Sequence, residues 1–344
     1  MKILRIGPLG ITTHRRTFIA GLALLAVLAG LMLVALTAGQ SGYSMLDAIR
    51  ASVGATSDSP ADFIVGQVRA PRMLTAVLVG AMLGLSGAIL QSLTRNPLAS
   101  PDFIGITMGA GTGAVLTLWL IGAASLWVTA AGAVAGALIT AALILALSWL
   151  RRGIVPLRLI LAGIGIGFVA QATTQYLLTR MDVHDAQNAL GWLVGTTTGR
   201  TWTHVSVAAL CCAVLVPLVL WNARALRTME MGEDAARALG IRVGASRGVL
   251  AVCSVLLAAA AVAVCGPIGF IALVAPALAL RVTRNAGATL IPSALMGATL
   301  LLAADQVSQQ MPATLQFPVG VFTAAIGAPY LLWLVWRASR GGPA

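Results

Sequence analysis

Ten apolar runs, most of them close to 20 residues long, recur along the chain at 17–37, 73–93, 103–121, 126–149, 159–178, 202–221, 248–264, 266–280, 288–304 and 318–336. About 20 apolar residues in a helix cross the hydrocarbon core of a bilayer, where each backbone N–H and C=O must be satisfied within the segment. The pattern predicts an all-α polytopic membrane protein with about ten transmembrane helices, forming a single transmembrane domain over 1–344. The eighth run is short and is parted from the seventh only by the Gly266–Pro267 break. The first, 17–37, is too long for a signal-peptide core and has no convincing cleavage site, so it reads as a retained span. Composition agrees: 59% of residues are hydrophobic and 9% charged, against roughly one quarter charged in soluble domains.

Arginine sets the orientation. With the N-terminus inside and ten spans, 17 of the 22 Lys and Arg residues fall in inner segments. The outer ones are Arg50, Arg69, Arg72, Arg180 and Arg200. A positive-inside bias of that size predicts an N-in, C-in protein with both termini in the cytoplasm.

Several functions are disfavoured at this level. The net charge of +12 is spread singly between apolar runs, with no basic face of the kind nucleic acid requires. Lys2 is the only lysine, so no glycine-rich P-loop ending in lysine exists, and ATP hydrolysis by that route must reside on another polypeptide. Cys211, Cys212, Cys253 and Cys265 show no CxxC spacing and read as small apolar fillers. No Asp, Glu, Lys or His stands in the middle of a drawn span, which counts against an ion-coupled secondary transporter and against a pathway for bare cations. No catalytic group, resident metal site or cofactor is expected on this chain. The pairs Gly80/Gly84, Gly105/Gly109/Gly113, Gly132/Gly136 and Gly163/Gly167 suit close helix packing.

Four segments then narrow the reading: "RAPRMLTAVLVGAMLGLSGAILQSLTRNPLASPDFIGITMGAG", "MGEDAARALGIRVGASR", "CGPIGFIALVAPALALR" and "LLLAADQVSQQMPATLQFPVGVFTAAIGAPYLL". In this order they resemble the permease subunits of iron-siderophore and vitamin B12 ABC importers, over essentially everything after about residue 62. "EMGEDAARALG", "FIALVAP" and "LLAADQVSQQ" are most similar to permeases of the ferric-enterobactin type. The resemblance implies a type II ABC importer permease fold. It also implies a second permease subunit, identical or paralogous, two cytoplasmic ATPase subunits that use ATP and Mg²⁺, and an extracytoplasmic siderophore-binding protein. The alternatives are vitamin B12 or haem as cargo and, from another class, an ion-coupled secondary transporter.

The resemblance also assigns roles. Arg69 and Arg72, at the outer mouth of the second span, dock acidic residues of the binding protein; a planar guanidinium fork suits carboxylates. Snorkelling at a helix end is the plainer reading. Asn96 and Leu98, in "TRNPLASPD", belong to an inner gate, or simply to a packed turn. Gln171, Thr174 and Gln175 on the fifth span are polar pathway candidates, or make helix–helix hydrogen bonds. Where the family has an acid and a histidine, this chain has Gln316 and Ala277. Asp305 is expected to cap or pair at the outer end of span nine.

The cytoplasmic stretch 228–242 carries the ATPase-coupling assignment: Glu230, Met231, Gly232, Glu233, Asp234, Ala235, Ala238, Leu239 and Gly240. Glu233 and Arg237 are an i, i+4 pair in the favourable order. Glu230, Glu233 and Asp234 suit a helix N-terminus, and Gly240 suits a left-handed cap. Met229, Met231, Ala235, Ala238 and Leu239 are expected to form one apolar face.

Overall fold

The structure is a computed structural model that describes residues 3–6, 11–37, 63–102, 104–122, 126–150, 153–154, 156–284, 287, 289–312 and 317–339. Lys2, Arg50 and Gln316, together with the inner-segment residues Arg151, Arg152 and Arg340, lie outside the described residues. Ten helices correspond to the ten apolar runs: α1 (Arg15–Thr37), α2 (Ala70–Thr94), α3 (Ile106–Ile121), α4 (Leu126–Ser148), α5 (Pro156–Arg180), α7 (Trp202–Trp221), α10 (Val243–Cys265), α11 (Ile271–Thr283), α12 (Leu290–Gln310) and α13 (Val319–Ser339). Between them lie α6 (Val183–Leu193), α8 (Ala223–Glu230) and α9 (Glu233–Ala238). Two small antiparallel ribbons, β1 (Ile3–Ile6) with β2 (Ile11–His14) and β3 (Trp149–Leu150) with β4 (Gly153–Ile154), are additions that the apolar pattern did not predict.

Three boundaries differ from the sequence reading for identifiable reasons. A π-helical turn, Ile64–Arg69, leads without a break into α2, and Pro71 falls in the first α-turn; the Gly66 carbonyl five residues earlier, which Pro71 has no N–H to meet, accepts from Trp202 Nε1 at 2.9 Å. Gly266 (φ +76°) stops α10, and helix resumes only after Phe270 (φ +69°). At 13 residues, α11 rises about 20 Å, so it crosses only part of the apolar slab. In the other direction, α12 runs on to Gln310 and takes Asp305 inside the helix.

Helix α2 occupies the middle of the fold, packed against α12, α10, α11 and α7. In its best apolar window 78% of residues are buried within the chain, against 22% for the peripheral α7. Lipid tails are as apolar as leucine, so helices associate here by close packing rather than by escape from water. The glycine pairs provide it. A methyl group on Gly297 of α12 would come within 2.2 Å of the Gly80 carbonyl oxygen, and one on Gly113 of α3 within 2.1 Å of that of Gly132 on α4. At the buried α2–α10 contact, the Ser86 hydroxyl donates to the Ser254 carbonyl at 2.8 Å and the Ser254 hydroxyl returns a bond to the Ser86 carbonyl at 2.9 Å.

Candidate transport and coupling sites

The stretch between α7 and α10, which the charge count assigns to the cytoplasm, folds as two short helices rather than one. Gly232, at φ +126°, turns the chain between α8 and α9. The sequence expectation for Glu230 is thereby corrected: it is the last residue of α8, while Glu233 and Asp234 occupy the first turn of α9. Glu233 accepts from Arg237 at 3.0 Å and from Arg247 at 2.6 Å, and Asp234 accepts from Arg237 at 3.1 Å. The Arg247 hydrogen bond is the main reason that the Glu233 carboxyl is held below its usual range. Gly240 takes the left-handed conformation (φ +77°), and the Ile241 N–H reaches back to the Ala236 carbonyl at 3.0 Å, closing α9.

The apolar face is also redistributed. Met229 turns inward with Leu226 and Ala236 into the core, whereas Met231, Ala235, Ala238 and Leu239 are exposed. Buried side chains anchor the pair of helices from above. The exposed set leaves an apolar surface on α8 and α9, bordered by Asp234 and Arg237.

A turn at the cytoplasmic end of α2 carries the gate candidates. Arg95 ends α2 in the left-handed region (φ 51°, ψ 36°) and donates to the Met229 carbonyl at 2.7 Å. Asn96 uses its side chain locally: its Oδ1 accepts the Leu98 N–H at 2.9 Å, an Asx turn that suits the Pro97 between them. Leu98 is partly exposed. Farther along, Asp102 accepts the Phe270 N–H at 3.2 Å, joining the turn to the start of α11.

On α5 the three polar candidates separate. Thr174 is buried; its hydroxyl donates to the Ala170 carbonyl at 3.0 Å and lies 2.8 Å from the Thr112 hydroxyl of α3. Helix-to-helix bonding is thus what the geometry shows for Thr174. Gln171 and Gln175, one turn apart, are exposed on the face that also presents Ile164 and Phe168.

At the outer end, Arg72 donates from Nε to both carboxylate oxygens of Asp305 (3.1 and 3.2 Å) and from Nη2 to Oδ1 (2.8 Å). The Asp305 side chain is fully buried, and it also accepts from the Thr197 hydroxyl and from Gln309 Nε2. The carboxylate inside α12 is therefore neutralised by α2. Arg69 donates from Nη1 to the Leu36 carbonyl at the end of α1, 3.0 Å away. Ala277 is buried within α11. Sequence reasoning missed Arg95, Asp102, Thr197 and Arg247, since each partner lies 14 or more positions away; the only local hint was the unusual Arg-Asn-Pro ending of α2.

A profile of the FecCD transport family matches residues 24–337. The chain belongs to the FecCD transport family. The ferric enterobactin transport system permease protein FepG of Escherichia coli (strain K12) is 40% identical over 303 residues, covering 88% of this chain and 91% of that one. The Fe(3+)-citrate import system permease protein YfmE of Bacillus subtilis (strain 168) is 39% identical over 284 residues, covering 82% and 85%. A solved structure described as an inward-facing conformation of a metal-chelate type ABC transporter matches with a TM-score of 0.76 at 28% identity, over 92% of this chain and 98% of the other. This FecCD member is a multi-pass membrane permease subunit of the ABC-importer type.

Proposed function

We propose that this permease carries an intact ferric siderophore, of the catecholate type exemplified by enterobactin, across the cytoplasmic membrane by alternating access. Two separate ATPase subunits, with their ATP and Mg²⁺, dock beneath α8 and α9 and drive the cycle. A second permease subunit lies across the α5 face bearing Gln171 and Gln175, so that the cargo passes between the two. An extracytoplasmic binding protein delivers the chelate to the outer end of α2. There Arg69 and Arg72 face its carboxylates, the Arg72 fork keeping Nη1 beyond the two nitrogens committed to Asp305.

The observation that carries this reading is the α8–α9 pair. Its inner side is built into the permease core through Leu226, Met229 and Ala236, and its outer side displays Met231 and Leu239. A chain without a nucleotide-binding loop keeps a rigid apolar handle in the cytoplasm, and a separate ATPase is the partner that gives the handle a purpose. Support for a ferric chelate comes from the relatives, and FepG, named for ferric enterobactin, favours the catecholate class. YfmE, named for ferric citrate, is almost as similar, so transport itself must discriminate.

The test is reconstitution of the permease with its partner permease, ATPase and binding protein in liposomes. Ferric enterobactin, ferric citrate, haem and cobalamin are the probes. ATP-dependent accumulation of ferric enterobactin above the others is the expected result. Preference for another probe overturns the catecholate assignment. Uptake that ignores ATP and collapses with an ion gradient overturns the importer mechanism.

A further inference from the structure

We propose that Arg95 is the positioning residue through which α8 and α9 move the inner turn at 95–102, an inference that rests on the importer reading above. Arg95 holds a backbone conformation, φ 51° and ψ 36°, that side chains other than glycine, asparagine and aspartate rarely adopt. What the conformation achieves is visible at the other end of the side chain. Nη2 reaches the Met229 carbonyl at 2.7 Å, across 134 positions of sequence. That carbonyl lies in the last turn of α8, where it also accepts the Gly232 N–H at 3.2 Å and where a cation meets the negative end of the helix.

Both ends of this contact are stiff. Met229 is 4% exposed and packs with Leu226 and Leu250 in the main core, so the carbonyl moves only when α8 moves. On the other side, Arg95 is bonded directly to a turn that holds itself together. The Asn96 N–H donates to the Gln91 carbonyl at 3.1 Å, the Ala99 N–H donates to the Asn96 carbonyl at 3.1 Å, and Asn96 Oδ1 accepts from Leu98. The turn then passes its position on: Asp102 grips the Phe270 N–H at the head of α11. Arg95 also contributes, after Arg247 and Arg237, to the positive field that keeps Glu233 charged at the start of α9. A displacement of α8 by a docked ATPase thus has a short polar route, through a guanidinium, a self-bonded turn and a carboxylate, to the broken region between α10 and α11.

Arginine suits this role better than lysine. The fork fixes direction as well as charge, whereas an ammonium on a flexible stem fixes only charge. Spatial continuity alone does not establish coupling, so the test must read a nucleotide-dependent change.

The experiment uses the assembled importer in nanodiscs, as wild type, Arg95→Ala and Arg95→Lys. Hydrogen exchange of residues 96–102 is measured with and without a non-hydrolysable ATP analogue. ATP hydrolysis and accumulation of ferric enterobactin, ferric citrate and cobalamin are measured alongside in liposomes. In the wild type the nucleotide should change exchange across 96–102. In Arg95→Ala the ATPase should remain bound and hydrolyse ATP, the nucleotide-dependent difference should vanish, and uptake per ATP should fall about tenfold or more. Arg95→Lys should fall between the two, and it supplies the comparison if the alanine variant does not assemble. A nucleotide-dependent difference that survives in the variant overturns the proposal, as does exchange that rises equally in both states, which is what a purely structural role produces. If the variants import like a wild type that is ATP-driven, only the role of Arg95 falls. If the wild type itself is indifferent to ATP, the importer reading falls and takes this proposal with it.

Discussion

Replacing Met231 and Leu239 by alanine tests the docking surface most directly. The two side chains are 76% and 67% exposed in the isolated permease. Complete burial of such a side chain is worth about 1.5–3 kcal/mol, so roughly three quarters and two thirds of that remain available to a partner. Together the two offer about 2–4 kcal/mol. Interfaces return less than their area suggests, because docking also orders both surfaces. We therefore expect the double variant to weaken ATPase binding by about 2 kcal/mol, or roughly thirtyfold. The permease itself should be unaffected, since truncating exposed side chains leaves no cavity. The assay is titration of the detergent-solubilised permease with its ATPase, read by fluorescence anisotropy, with thermal unfolding of the permease alone as control. Undiminished affinity in Met231→Ala/Leu239→Ala would refute the reasoning. Loss of affinity accompanied by a lowered unfolding temperature would instead place the side chains in the permease's own packing.

Two further outcomes follow from the charges. Arg72→Ala leaves the buried Asp305 with Thr197 and Gln309 as its remaining donors among the described residues, and should destabilise the permease by about 3 kcal/mol; Asp305→Asn, which leaves a partly exposed guanidinium and retains an acceptor, should cost less than half of that. Thermal unfolding in detergent checks both, and changes within about 0.5 kcal/mol for both variants would mean that the pair does not hold α2 to α12. The pairs of Glu233 with Arg247 and Arg237 set a pH window. The folded-state value lies below the ordinary 4.5, so the stabilisation is present above that value and is lost as pH falls through the folded-state value. The contribution of Glu233 to permease stability, read as the difference in thermal unfolding between wild type and Glu233→Gln, should be flat between about pH 6 and 8 and shrink only in the acid range; a midpoint near neutrality would point to other groups.

Much of the architecture could be read along the chain, because a bilayer imposes its demand segment by segment. Run 202–221 coincides with α7, and the glycine pairs 80/84, 109/113 and 132/136 meet across helices as their spacing suggested. The i, i+4 geometry of Glu233 and Arg237 and the left-handed cap at Gly240 were equally local and equally visible. Spans were legible where their limits depended on apolarity, and less so where a backbone angle intervened. The φ of +76° at Gly266 and +69° at Phe270 shorten α11 because the chain there must turn between packed helices, a requirement that comes from neighbours and leaves little mark on the local residues.

The candidate sites divide along the same line. From the sequence by itself came a ten-span, N-in chain with no nucleotide-binding loop and one polar helical stretch in the cytoplasm, since hydrophobicity, charge count and helix design are properties of contiguous residues. Only the tertiary structure decided that Arg72 grips Asp305, that Thr174 is spent on Thr112 while Gln171 and Gln175 stay exposed, that Met229 turns inward while Met231 turns outward, and that Arg95 reaches the Met229 carbonyl. Each of these joins or sorts groups according to what packs beside them, and a helix pattern that shows which residues share a face does not show which neighbour that face will meet.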